Sequence, residues 1–404
     1  MTHLETVTEE ERFRDIAYRR SADPAGYYEE QRARGPVMTD QHPLGHVEVI
    51  DRGDVEYVLR NPDIFSSNKG IMGSAQPVIP IGIDPPLLSS YRRLLDPAFS
   101  PRQMNGLIPK VADKVNALID EIIDKGECDF SEAISVPLPA TTFIDLLGLP
   151  RSKLPTLLYW KEVMVHHADM TESAEAAQAL LAETVPKIYE YIYSVIADRR
   201  GKPADDVVTR LLESKLEDGR ALTDDEIART LFLLISAGLD TVSISLQCIF
   251  HFLATHPEAR EMLVEDPDST NNLIEELMRW ESPVQTVLGR IATRDVEIGG
   301  CPIKAGSIVE VSIGGANLDP TVPGADTVDL TRGDKPHLAF GSGPHRCLGS
   351  HLARMELRTV VREWHKRIPN YRLKADYTPE WNSNVLRGVN HLMLEWDPEE
   401  TMSA

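Results

Sequence analysis

Basic residues are in short supply: 42 Lys and Arg stand against 63 Asp and Glu, a formal net charge of −21. An acidic excess of that size repels phosphate backbones and anionic lipid surfaces, which speaks against nucleic-acid and membrane partners. Cysteine is scarce as well. Cys128, Cys248, Cys301 and Cys347 are the only four, and no two share a C-x-x-C spacing. Neither a disulfide framework nor a structural zinc site is expected from them. Long apolar runs are missing: the longest, Leu231 to Leu239, is too short to cross a bilayer, and the leader MTHLETVTEEERFRD has no apolar segment of the secretory kind. The chain reads as cytoplasmic. It also lacks internal repeats and low-complexity linkers.

What is present is the material of one large fold. Apolar residues make up 42% and charged residues 26% of 404 positions, enough to bury a sizeable core. HVEVI (His46 to Ile50) alternates like a strand, and DVEYVLRN follows as a short helix before Pro62. Lys69 to Pro86 mixes apolar residues with Gly and Pro, which suits an irregular loop able to act as a lid. From about 102 to 280 the pattern is helical, with Val111, Val115, Leu118, Ile119 and Ile122 spaced for one buried face. The longest helix is predicted from Thr223, with Glu226 completing a capping box, to Thr255, where His256-Pro257 stops it. At 1.5 Å per residue it would extend roughly 50 Å, close to the diameter of a compact domain of this size. A single domain over 1–404 is therefore expected. Beyond Pro283 the chain turns β-like: DVEIGG and SIVEVSI flank CPIKAG as a hairpin, and HLMLEW is a further strand. The fold class is mainly α with small β sheets, β-rich near 46–70, 283–315 and 371–397 and helical over 85–282 and 348–367.

The most informative stretch is HLAFGSGPHRCLGSHLAR, His337 to Arg354. Phe340, Gly341, Gly343, His345, Cys347 and Gly349 lead into a helical pattern through Leu348, Leu352 and Met355. A cysteine at the mouth of a helix has its thiolate stabilised by the helix dipole, and glycines before it let backbone amides turn toward the sulfur. Cys347 is thus a candidate thiolate ligand. The plainer readings are a buried small hydrophobe or a phosphate loop. No Lys-Ser/Thr follows the glycines, which counts against the second.

The run F-G-x-G-x-H-x-C-x-G resembles the haem-ligand signature of the cytochrome P450 family at every fixed position. The resemblance implies the family's fold, with haem b on the Cys347 thiolate between a long central helix and the helix after the cysteine. Phe340, Gly341, Gly349 and Ala237 would line the haem. It also implies a monooxygenase that activates dioxygen to hydroxylate a small lipophile, a terpenoid, an aromatic or something similar. Ala237-Gly238-Leu239-Asp240-Thr241 is similar to the family's A-G-x-D-T segment. A glycine inside a helix costs about 1 kcal/mol relative to alanine, and a carboxylate beside an apolar stretch is expensive unless paired. The resemblance gives both a purpose: Gly238 leaves room for dioxygen, and Asp240 and Thr241 deliver protons. A Thr bonded back to its own helix and an Asp at a wet edge are the plainer alternative.

Glu276 and Arg279 form the family's E-x-x-R, one helical turn apart, with Arg332 in DLTRGD as the third, structural member. The haem propionates call for donors, and family position suggests Arg92, Arg290 and His345. Many relatives carry D-P-P-E-H-x-x-x-R before Arg92, whereas Leu87 and Leu88 replace the Glu and His here, so one donor is missing or replaced. Substrate contacts carried over from the family are Leu233, Ser236 and Ala237, then Thr286, Val287 and Leu288, then Val385 and Leu386, nearly all apolar. No flavin or nicotinamide fingerprint accompanies the haem motif. Electrons are therefore expected from an iron–sulfur ferredoxin and its reductase, docking on a basic cluster of Arg92, Arg93, Lys335 and Arg346. The rival expectations are a peroxide-dependent haem-thiolate enzyme and a non-catalytic haem sensor.

Overall fold

The computed structural model of the protein describes residues 18–38, 46–69, 71, 74–168, 170–333, 336–381 and 386–402, and of Leu288 the backbone only. In chain order come α1 (Pro24–Arg34), β1 (Val37–Met38), β2 (Val47–Val49), α2 (Arg52–Arg60), β3 (Phe65–Ser66), α3 (Leu87–Leu95), α4 (Ile108–Asp120), α5 (Pro137–Leu147), α6 (Leu154–His166), α7 (Ala174–Gly201), α8 (Asp224–Gly238), α9 (Thr241–Thr255), α10 (Thr270–Glu281), β4 (Thr286–Ala292), β5 (Val296–Ile298), β6 (Cys301–Ile303), β7 (Ile308–Ser312) and α11 (Ser350–Arg367), with shorter elements between them. They gather into two compact units. The first comprises the chain to Ser66, Gln247–Arg346 and Arg372–Met393; the second comprises Ser67–Leu246, Cys347–Tyr371 and the residues from Leu394.

The first unit is built on a five-stranded sheet in the order β1-β2-β7-β4-β3. Parallel pairing of β2 with β7 sets Val47 opposite Val309 and Val49 opposite Val311, so valines from distant segments share one buried face. β4 runs antiparallel to β7, with a shift of register between Val287 and Arg290. Beside the sheet, β5 pairs with β6 across Gly299-Gly300, both at positive φ (54° and 78°). A two-residue turn of this kind fixes the hairpin. The expected partner of β5 is therefore corrected: CPI is its second strand, and SIVEVSI belongs to the large sheet.

Helices make up most of the second unit. Val111, Val115 and Ile119 bury one face of α4 while Leu118 is half-buried at its edge. Trp364 on α11 anchors an aromatic cluster, edge-on to Phe130, Tyr371 and Trp396. In the loop between 69 and 86, Lys69, Ile71 and Ser74–Pro86 are described; Val78 and Ile79 are fully buried and the Pro77 carbonyl accepts from Arg229 Nη1 at 3.0 Å. Its described residues around Val78 and Ile79 are packed into the unit.

The predicted 33-residue helix is two. α8 starts on the capping box, the Thr223 hydroxyl accepting from the Glu226 amide (3.2 Å) and the Glu226 carboxylate from the Thr223 amide (2.7 Å). It ends at Gly238, and α9 begins at Thr241 after two intervening residues. At the interruption the Thr241 hydroxyl donates to the Ala237 carbonyl (3.2 Å), side-chain back-bonding of the sort that bends helices, next to a glycine that resists bending least. The stretch Asp224–Thr255 is long and apolar enough to cross a membrane, yet 83% of its most apolar window is buried inside the protein, as befits a core helix.

Candidate active site

Chemistry in the second unit starts from the thiol. Cys347 sits in irregular backbone immediately before the turn into α11, whose N-cap is Gly349. Of the four cysteines, none in a disulfide, Cys128 and Cys248 are buried, Cys301 is half-buried and Cys347 is exposed. Burial pushes the Cys128 and Cys248 thiols up to about 12, which makes them inert. Cys347 has the accessibility and the helix N-terminus that a thiolate ligand needs. The reading of Cys347 as a buried hydrophobe is thereby excluded.

The α8–α9 interruption supplies the second feature. Every residue from Leu231 to Phe250 is buried except Ala237, which is exposed, and Gly238 and Thr241, which are half-buried. Ala237 and Thr241 lie four positions apart and share a helical face, so the otherwise buried run Leu231–Phe250 opens one small strip there. A flat, largely apolar macrocycle fits such a strip, and an exposed thiol fits its metal. A Cβ at Gly238 would lie 2.5 Å from Cζ of Phe143 on α5, so the missing side chain makes room for that ring.

Asp240, inside the interruption, is not at a wet edge. Its side chain is 8% exposed, and both carboxylate oxygens are engaged: Lys161 Nζ donates to Oδ1 and His166 Nε2 to Oδ2, each at 3.1 Å. Burial pushes this carboxyl up, but the His166 hydrogen bond and the Lys161 charge outweigh it and hold Asp240 below the ordinary value, ionised at neutral pH. The Thr241 hydroxyl spends its proton on Ala237, leaving oxygen lone pairs to accept a hydrogen bond.

In the first unit, the loop before the cysteine is held by shape. Gly343 has φ 69°, and a Cβ on it would meet the Leu59 carbonyl oxygen at 2.3 Å, so only glycine fits. Arg60 Nε donates to Ser342 Oγ (3.0 Å). Phe340 is buried, Gly341 also has positive φ, and His345 is half-buried in the turn that Gly343 opens. Arg290 is buried on β4, opposite Val309. Glu276, Arg279 and Arg332 come together: Arg279 forks onto Glu276 at 3.0 and 2.9 Å and donates to the carbonyls of Asn317, Ala325 and Thr327. The Asp329 amide donates to Glu276 (2.8 Å), while Arg332 Nη2 lies 3.9 Å away, at ion-pair rather than hydrogen-bond range.

The remaining candidates divide. Arg92 and Arg93 on α3 are not a bare basic face, because Asp96 pairs with Arg92 at 3.0 Å and Glu217 pairs with Arg93. Leu88, where relatives carry a donor, is buried in the core and offers none. Leu233 is buried, and Ser236 donates its proton back to the Phe232 carbonyl (2.6 Å), so its hydroxyl serves its own helix. Thr286 is buried opposite Ser312, Val287 is half-buried at the register shift, and Leu386 bridges to Val284. Val385, Lys335 and the Leu288 side chain lie outside the described residues. A groove of about 820 Å³ in the first unit, lined by residues such as Phe252, His256, Trp280 and Trp381, contains none of the candidate residues. Sequence reasoning missed Lys161, His166 and Phe143. The one signal was Lys161 itself, a cation in the mostly apolar run LPTLLYWKEVMVH.

Comparison with known proteins bears on this arrangement. A family model described as cytochrome P450 matches residues 154–375. A probable cytochrome P450 127A1 of Sinorhizobium fredii is 36% identical over 355 residues, 86% of this chain and 83% of the relative. A steroid C26-monooxygenase of Mycolicibacterium smegmatis is 32% identical over 385 residues, 93% and 94% of the two chains. Among solved structures, CYP109E1 from Bacillus megaterium in complex with corticosterone is 30% identical, with a TM-score of 0.82 over 96% of this chain and 99% of that one.

Proposed function

The chain belongs to the cytochrome P450 family, and we propose on that premise that it hydroxylates a compact, rigid lipophile of about steroid size with electrons from an iron–sulfur ferredoxin. Its fold is the family's, mainly helical with small sheets, and it is a haem-dependent monooxygenase with a cysteine thiolate on the iron. Haem on a thiolate supplies the dioxygen chemistry when bound. The chain's own residues do the rest. Cys347 presents the thiolate. Ala237 and Gly238 offer the strip against which the macrocycle would lie, and Arg290, His345 and Arg92 would be the donors for its propionates. Asp240, held ionised beside the strip, accepts and releases protons, and the Thr241 oxygen takes the hydrogen bond that orients them. This acid–alcohol pair favours dioxygen over peroxide as oxidant, because peroxide already carries its protons.

The observation that carries the reading is the buried, ionised Asp240 adjoining the one open strip in the otherwise buried run Leu231–Phe250. For the substrate, support comes from the apolar character of Leu233, Val287 and Leu386, and from two relatives whose names concern steroids. For the redox partner that the family implies, an iron–sulfur ferredoxin is the class proposed. A single cytoplasmic catalytic domain is part of the same reading; the family match runs through segments of both units.

Titrating the resting haem protein with sterols, monoterpenes and aromatic hydrocarbons, and following the iron spin state optically, tests the substrate class. A saturable shift with a sterol at micromolar concentration is expected. Response to monoterpenes or small aromatics alone would contradict the assignment.

A further inference from the structure

Asp240 is sealed in, yet each turnover of a monooxygenase consumes protons, so something must resupply it. We propose that His166 is the positioning residue that passes protons from solvent to the Asp240 carboxylate; the inference rests on the reading of Asp240 as proton donor given above. Two cations touch this carboxylate and they are not equivalent. Lys161 is buried in the body of α6, its side chain 6% exposed, and it also pairs with Glu162. Burial lowers its proton affinity, but the charges of Asp240 and Glu162 more than offset this and raise it above the ordinary lysine value. An ammonium held that tightly keeps its proton and acts as a fixed counter-charge. His166 is the last residue of α6, where the helix reaches the surface, and its side chain is about twice as exposed as that of Lys161 (13%). Imidazole is also the side chain whose ordinary charge change falls near neutral pH, which suits it to give and regain a proton at little cost.

The step balances without any other reactant. The Nε2–H proton of the imidazolium moves 3.1 Å donor-to-acceptor onto Asp240 Oδ2, leaving a neutral imidazole and a neutral carboxyl group. Asp240 releases that proton toward the Thr241 side of the interruption and is again an anion facing Lys161. The neutral ring, still protonated on Nδ1, turns its bare Nε2 to water, takes a proton there, and turns back to restore the Nε2–H beside Oδ2. The net result is one proton carried from solvent to the reaction, with Lys161 charged throughout.

The test compares haem-loaded wild type with Asp240→Asn and His166→Gln, each first shown to keep the thiolate-type spectrum. Gln can still donate a hydrogen bond to Asp240 but cannot carry a proton, so it separates holding from transfer. Expected is a slowing of substrate-driven dioxygen consumption by on the order of tenfold in both variants, with a larger solvent deuterium isotope effect than wild type. If Asp240→Asn slows and His166→Gln keeps the wild-type rate and isotope effect, His166 only holds the carboxylate and the inference fails while the Asp240 reading stands. If Asp240→Asn itself behaves as wild type, both fall. A second readout uses no variant of His166 and no turnover: ¹⁵N NMR of the histidine side chains in the reduced, carbon-monoxide-bound protein, with Asp240→Asn as reference. The His166 ring should change protonation between pH 5 and 9, at a lower pH in Asp240→Asn. A ring locked in one state across that range overturns the proposal even if His166→Gln does not fold.

Discussion

Residues of one type behave differently here according to what surrounds them. Cys128 and Cys248 are buried and their thiols are pushed up to about 12, while Cys347, with the same side chain, is exposed at a helix mouth. Thr241 shows the same dependence. Its hydroxyl proton is committed to Ala237, so the oxygen acts as an acceptor beside Asp240. Thr241→Ala removes that acceptor and leaves Asp240 and its partners in place. The variant should consume reductant at a rate close to wild type but release much of it as hydrogen peroxide, checked by the ratio of product to reductant; full coupling would contradict the role. At this scale Cys347 was legible in the sequence because its glycines are demanded by backbone geometry, as at Gly343 against the Leu59 carbonyl. The partners of Asp240 were not, since Lys161 and His166 lie 79 and 74 positions away in the chain and no local pattern links them.

Elements are shaped by a few contacts that periodicity does not reveal. The apolar pattern from Thr223 to Thr255 is continuous, so it reads as one helix; the interruption comes from Gly238 giving way against Phe143 and from Thr241 bonding back. Likewise β5 and β7 look like hairpin partners until Gly299-Gly300 makes CPI the nearer strand. Capping was legible, because Thr223 and Glu226 are only three residues apart and satisfy each other's backbone amides. The packing of α5 on α8 gives a direct test. Alanine is the better helix former by about 1 kcal/mol, yet Gly238→Ala should lower stability by about 1–3 kcal/mol through overpacking against Phe143. Thermal unfolding should show a lower Tm for Gly238→Ala and recovery when Phe143→Leu is added. A raised Tm in the single variant would mean that α5 and α8 do not meet as described.

The chain carries a large excess of negative charge, and even the basic residues of α3 are taken up by acidic partners, Arg92 by Asp96 and Arg93 by Glu217. One buried acid is pushed far up. Glu356 on α11 is 1% exposed; burial drives its carboxyl up, the Lys114 charge and a Thr142 hydrogen bond bring it partly back, and it stands at about 8. The folded protein therefore holds this proton more tightly than the unfolded chain does. Its stabilising contribution is complete below the ordinary carboxylate range, near pH 4.3 for Glu, and is lost as pH rises through about 8. Denaturant unfolding from pH 5 to 9 should show wild type weakening toward the alkaline end and Glu356→Gln weakening less; parallel curves would show that Glu356 is ionised in the fold. Whole-molecule function rests most directly on the iron ligand. Reducing the haem-loaded protein and adding carbon monoxide tests it at once, because thiolate-bound haem gives a strongly red-shifted Soret band that imidazole-bound haem does not. The shifted band should be present in wild type and absent in Cys347→Ser. An unshifted wild-type band, or a shifted band that survives in Cys347→Ser, would contradict the assignment of Cys347 and the chemistry built on it.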